Sequence, residues 1–114
     1  MKQGEIWIVN LDPSIGAEIK KSRPCVIVND DAVGILPLKI IAPITGYKDK
    51  FKDVPWMVSL NPNSENGLDK MSVIDLFQVR SVAQERLVEQ VGMIGADQML
   101  SVKAALKVVF GYYT

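Results

Sequence analysis

Histidine is absent from the 114 residues, and cysteine occurs once, as Cys25. The first absence removes the usual acid/base pair at neutral pH and the commonest metal ligand; the second leaves too few soft donors for a zinc site. No metal and no cofactor are expected. A lone cysteine forms no intramolecular disulfide, and in the apolar run Pro24-Cys-Val-Ile-Val28 it reads as a small buried side chain in a reducing compartment. Net charge is lacking as well. Thirteen basic residues balance thirteen acidic ones, so no whole-molecule field attracts nucleic acid and any such site has to be local. Long apolar runs are missing: none approaches the ~20 residues of a membrane span. No cationic, apolar leader opens the chain. The expectation is a cytoplasmic protein with no membrane partner.

What is present suits one folded domain over residues 1–114. Apolar residues make up 48% and charged residues 23%, and a chain of this length can bury about two-thirds of the surface it exposes when unfolded. The N-terminal stretch has the most information. Residues 5–11, Glu-Ile-Trp-Ile-Val-Asn-Leu, predict a strand, and residues 24–29 a second one. Residues 12–22 form the loop between them. Asp12-Pro13 ends the first strand, Gly16 permits a turn, and Glu18, Lys20, Lys21 and Arg23 collect where the backbone is freest. Nearly every residue from 5 to 11 is apolar, which predicts a strand covered on both faces or turned through a barrel, with Trp7 in the core.

Further on, residues 30–34 read as a turn and residues 38–42 as a third strand, broken by Pro43-Ile-Thr-Gly46. Residues 47–52, Tyr-Lys-Asp-Lys-Phe-Lys, interleave aromatic and cationic side chains, a composition that suits a groove for single-stranded nucleic acid. Residues 56–60 predict a strand, residues 61–67 a plain loop, and residues 72–82 one or two β segments. A helical turn at residues 84–87 and a strand at residues 88–94 follow. The rest predicts a helix with Asp97 as N-cap and an apolar stripe of Met99, Val102, Leu106, Val109 and Tyr113. Short strands followed by one amphipathic helix imply a mainly β, α+β fold: a small antiparallel barrel-like sheet with helical cover.

Gly4-Glu-Ile-Trp, Leu11-Asp-Pro, Gly16, Glu18, Lys21 and Arg23-Pro before Val-Ile-Val occur in an order that closely resembles the opening of the MazF/PemK family of toxin endoribonucleases. The series continues through Asn29-Asp30, Pro43-Ile-Thr45 and Val73-Ile-Asp-Leu-Phe-Gln-Val-Arg80. The resemblance implies an SH3-like barrel of the CcdB/MazF type and a homodimer that binds RNA across its interface groove. It also implies cleavage of single-stranded RNA to 2′,3′-cyclic phosphate and 5′-hydroxyl ends, and a cognate antitoxin. On family position, Arg23 and Thr45 are the expected catalytic pair and Glu18 the base or arginine-orienting group. Arginine fits phosphorane neutralisation because its fork of donors matches phosphate. Lys20, Lys21, Tyr47, Lys48, Lys50, Lys52 and Gln78 are the candidate RNA contacts. Ala17 and Ile19 depart from the family pattern, where a polar residue and glutamine are frequent. Two other readings stay open at this point: a gyrase-poisoning toxin of the CcdB type using the Phe110-Gly-Tyr-Tyr-Thr114 end, and a catalytically dead nucleic-acid-binding barrel.

Overall fold

The computed structural model describes residues 1–112; Tyr113, assigned above to the helix stripe, and Thr114 lie outside the described residues. Among the described residues seven strands are followed by one helix: β1 (Glu5–Asn10), β2 (Ser22–Ile27), β3 (Leu38–Gly46), β4 (Met57–Leu60), β5 (Ser72–Asp75), β6 (Arg80–Ala83), β7 (Leu87–Met93) and α1 (Ala96–Val109). Short 3-10 turns occupy Asp49–Phe51, Leu76–Gln78 and Gln84–Arg86. All the strand pairings are antiparallel, in the order β4-β5-β3-β2-β1-β7, with β6 also on β3. The sheet is an open barrel with one helical cover.

Strand β3 makes the curvature possible. Its first part, Leu38 to Ile41, pairs with β6, and its last part, Ile44 to Gly46, pairs with β5. Strand β2 runs along its other edge, with Cys25 opposite Pro43. The expected break at residues 43–46 does not occur. Pro43 falls between the two partners on one edge, where the Leu76–Gln78 turn interrupts strand pairing, so its missing N–H removes no ladder bond. The same turn divides the 72–82 segment into β5 and β6.

Side-chain alternation separates two apolar cores. Ile6, Val26, Val28, Ala42 and Ile44 face the helix together with Met99, Val102 and Ala105. Val9, Leu11, Cys25, Ile27, Ile41, Val82 and Leu87 fill the opposite face, with Trp7 and Ile19 packed at its margin. Strands buried on both faces read as continuous apolar runs, which is why period-two patterning is blurred in the sequence. Trp7 is half-buried, not central, and its indole N–H donates to Glu5 Oε1 at 2.9 Å. Helix α1 begins one residue after Gly95, the N-cap; Asp97 is inside its first turn instead of capping it. Gln98 supplies one half of a capping box by accepting from the Gly95 N–H at 2.9 Å, glycine having no side chain for the other half.

The loop at residues 61–67 is more than a plain connection. Asn66, 2% exposed, accepts from the Asn63 and Leu68 N–H groups at 3.1 and 3.0 Å and donates to the Asn61 carbonyl at 2.7 Å. These bonds press the loop onto Gly92 of β7, where a β-carbon would lie 2.5 Å from Asn66 backbone atoms.

Candidate active site

Arg23 is the second residue of β2, paired with Val9 of β1, and Thr45 is the penultimate residue of β3, paired with Val73. Antiparallel register brings the two strand ends to one place. Arg23 and Thr45 line a single cleft of about 310 Å³, together with Gly67, Leu68, Asp69, Lys70 and Ser72. Arg23 is exposed, and its Nε donates to the Lys20 carbonyl at 3.2 Å. The guanidinium is thus tied to the loop through one nitrogen. Lys70 adds a second cation: a β-carbon built on Gly46 would come within 3.1 Å of its Nζ, so the ammonium lies over the Thr45–Gly46 backbone. Sequence reasoning missed Lys70. Its only signal was a lysine just ahead of β5, between the loop read at residues 61–67 and the β segments read from residue 72.

The β1–β2 loop has a defined shape of its own. Asp12 Oδ1 accepts from the Lys21 N–H at 3.0 Å, and Ser14 Oγ donates to the Leu11 carbonyl at 2.9 Å. Lys21 itself adopts φ 68°, a left-handed conformation that the loop closure imposes on a non-glycine residue. Glu18 Oε1 accepts from the Ile15 N–H at 2.6 Å. Among the described residues the only ion pair within 4.0 Å joins the Met1 amine to Glu5, so Glu18 does not grip Arg23. The expected direct orientation of the arginine by Glu18 is absent from this conformation.

Glu18 instead lines a second cleft of about 400 Å³, formed with Ala17, Ile19, Pro43, Phe77, Gln78 and Arg80. Consecutive β3 residues separate the two hollows: Pro43 opens on this one, Ile44 and Thr45 on the other. Gln78 belongs to the Leu76–Gln78 turn and has both amide groups engaged, Oε1 with the Ile19 N–H at 2.8 Å and Nε2 with Asp75 Oδ2 at 3.2 Å. Arg80 is half-buried with no carboxylate within 4.0 Å among the described residues. Its charge acts on Cys25: burial pushes that thiol up to about 12, and the nearby guanidinium opposes the rise. Arg80 is a second cation that the sequence reading left unassigned.

The remaining candidates stand apart from both clefts. Lys20 and Lys21 are exposed on the loop. Tyr47 is half-buried, Lys48 and Lys52 are exposed beside the Asp49–Phe51 turn, and the Lys50 ammonium lies 5.5 Å from the Phe51 ring centroid. Among the described residues no three His, Cys, Asp or Glu side chains cluster as a metal site would require. No helix there is long and apolar enough to cross a membrane.

An open antiparallel barrel with one terminal helix and an arginine–threonine–lysine cleft at its strand ends defines a small α+β protein equipped to hold an anionic group. Its family follows from comparison with known proteins. The chain belongs to the PemK-like, MazF-like toxins of type II toxin-antitoxin systems, whose family model matches residues 2–110. It is 32% identical over 113 residues to endoribonuclease MazF9 of Mycobacterium tuberculosis, covering 94% of this chain and 93% of that protein. Endoribonuclease MazF of Staphylococcus saprophyticus is 35% identical over 115 residues, covering 100% and 94%. The crystal structure of MazF from Deinococcus radiodurans superimposes with a TM-score of 0.76 at 25% identity, over 97% of this chain and 96% of that one. A mycobacterial endoribonuclease solved with its cognate antitoxin gives 0.79 at 16% identity, over 100% and 98%, a likeness of fold.

Proposed function

We propose that this chain is an RNA-cleaving toxin, neutralised by a cognate antitoxin, that cuts single-stranded RNA without a metal ion. Membership of the toxin family and the similarity to two endoribonucleases support the activity. The convergence of Arg23 and Thr45 on one cleft is the observation that carries the mechanism. A homodimer, taken from the family resemblance, and a cytoplasmic location, taken from the cysteine usage, complete the reading.

In this mechanism a base takes the proton of the RNA 2′-hydroxyl, the 2′-oxygen attacks the adjacent phosphorus, the bond to the 5′-oxygen breaks, and the proton passes to that oxygen directly or through water, so that a 2′,3′-cyclic phosphate and a 5′-hydroxyl result. Arg23 neutralises the charge that develops on the non-bridging oxygens, and its free Nη groups are the donors available for that task. Thr45 donates a hydrogen bond to one of those oxygens, and Lys70 adds positive potential from the cleft wall. Glu18 is the conventional base among these residues. To serve as one it must release the Ile15 N–H and turn from its own cleft toward the Arg23 cleft. Lys20, Lys21, Lys48, Lys50, Lys52 and Tyr47 guide the strand on either side of the scissile phosphate.

The test is incubation of the purified protein with a long RNA in excess EDTA, with the ends mapped. Cleavage by the wild type and a loss of about 100- to 1,000-fold in kcat for Arg23→Ala are expected, the scale of one preorganised charge-stabilising donor. Unchanged cleavage by Arg23→Ala, or strict dependence on a divalent ion, refutes the mechanism.

A further inference from the structure

Gln78 is placed to hold the β1–β2 loop, a task different from reading a base. Asp75, 6% exposed, offers two carboxylate oxygens, and each has one donor: Oδ1 accepts from the Phe77 N–H at 3.0 Å, Oδ2 from Gln78 Nε2 at 3.2 Å. A carboxylate only accepts, so it fixes which way the Gln78 amide points. Oε1 must then face outward, where it accepts from the Ile19 N–H at 2.8 Å, 59 residues away in sequence. The Ile19 side chain packs at the margin of the second core, and its carbonyl is within 3.4 Å of Ser14 Oγ. Ile19 is therefore pinned through its backbone and through its side chain.

The residue after it, Lys20, supplies the carbonyl that accepts from Arg23 Nε. We propose that Asp75 and Gln78 form a relay that sets the loop at Ile19 and, through the Lys20 carbonyl, the direction of the Arg23 guanidinium. Gln78 is then a positioning residue. Ile19, the departure from the family pattern, acts as the hydrophobic half of the same anchor. The activity arm below rests on the nuclease reading; the structural arm does not.

The relay makes an unusual demand on conservative changes. In Asp75→Asn, if Oδ1 keeps the Phe77 N–H, the new amide presents a donor to Gln78 Nε2; a flipped Gln78 then aims its own donor at the Ile19 N–H. In the double variant Asp75→Asn/Gln78→Glu, the asparagine donates to one glutamate oxygen and the other accepts from Ile19, so the connection is restored.

Amide hydrogen exchange at Ile19, followed by NMR on the free protein, reads the relay directly. Gln78→Ala and Asp75→Asn should each lose about tenfold or more of its protection, and the double variant should regain it. In cleavage assays the single variants should fall about 10- to 100-fold, mainly in kcat, with cleavage positions unchanged, as expected for a misaimed catalytic group. Gln78→Met, at a half-buried site, provides a second probe where Asp75→Asn does not fold. Unaltered Ile19 exchange in Gln78→Ala and Gln78→Met, or no recovery in the double variant, overturns the relay. Changed cleavage positions with normal Ile19 exchange also overturn it, in favour of base reading. Wild-type protein that cuts no RNA while Ile19 responds as stated refutes the nuclease and leaves the relay standing.

Discussion

Replacing Gly92 by alanine should unsettle the loop that forms one wall of the Arg23–Thr45 cleft. A β-carbon there would lie 2.5 Å from the carbonyl carbon and oxygen of Asn66 and closer still to the Glu65 oxygen, all of them backbone atoms. Gly92 pairs with Ile6 in the sheet, so the strand gives way less easily than the loop. Moving the loop breaks the Met93 N–H bond to the Glu65 carbonyl, at 3.0 Å, and strains the three part-buried bonds of Asn66. At about 1 kcal/mol net for each bond, the loss is on the order of 3 to 4 kcal/mol. In a domain of this size that lowers the melting temperature by roughly 12 to 16 °C. Differential scanning calorimetry, supported by urea unfolding, measures it. Gly46→Ala is the control, because the atoms its β-carbon meets belong to the flexible end of Lys70. A Gly92→Ala protein within about 1 kcal/mol of wild type would refute the reasoning. Since Gly67 and Leu68 line the cleft, Gly92→Ala should also reduce cleavage below the unfolding transition.

Glu18→Gln keeps an oxygen for the Ile15 N–H but removes the basic carboxylate, whereas Glu18→Ala removes both. If Glu18 takes the proton, both variants lose cleavage; activity retained only in Glu18→Gln assigns the residue to loop shape. Cys25, raised to about 12, should resist alkylation at pH 8 in the native state and react on unfolding, as mass spectrometry would show. Because its folded pKa is above the ordinary value of 9.0, the stability it contributes is complete below pH 9 and is lost as pH rises toward 12. Chemical unfolding across that window in wild type and Cys25→Val should show a steeper fall for wild type. RNA binding through about four phosphates should give a log–log salt slope of roughly −3, and removing Lys20 or Lys50 should flatten it by about 0.7.

Much of the fold was legible because apolar runs and turn residues locate short strands even where both faces are buried. Three details were not. Pro43 reads locally as a strand breaker, and only the passage from β6 to β5 along β3 makes it harmless. Asp97 resembles a cap more than Gly95 does, but Gln98 satisfies the Gly95 N–H and starts the helix earlier. Asn66 looks like surface turn chemistry, and its burial follows from the contact with Gly92.

For the site, the sequence by itself determined the chemical inventory: no histidine, one cysteine, and an ordered motif series holding Glu18, Arg23 and Thr45. Those are properties of residue type and order. Tertiary structure alone decided how they are grouped. Strand register unites Arg23 with Thr45 and brings in Lys70, while Glu18 and Gln78 open on a separate cleft with Arg80. The physical reason is that hydrogen bonds such as Gln78 to Ile19 connect distant segments, and local sequence patterns contain no signal for partners brought together only by folding.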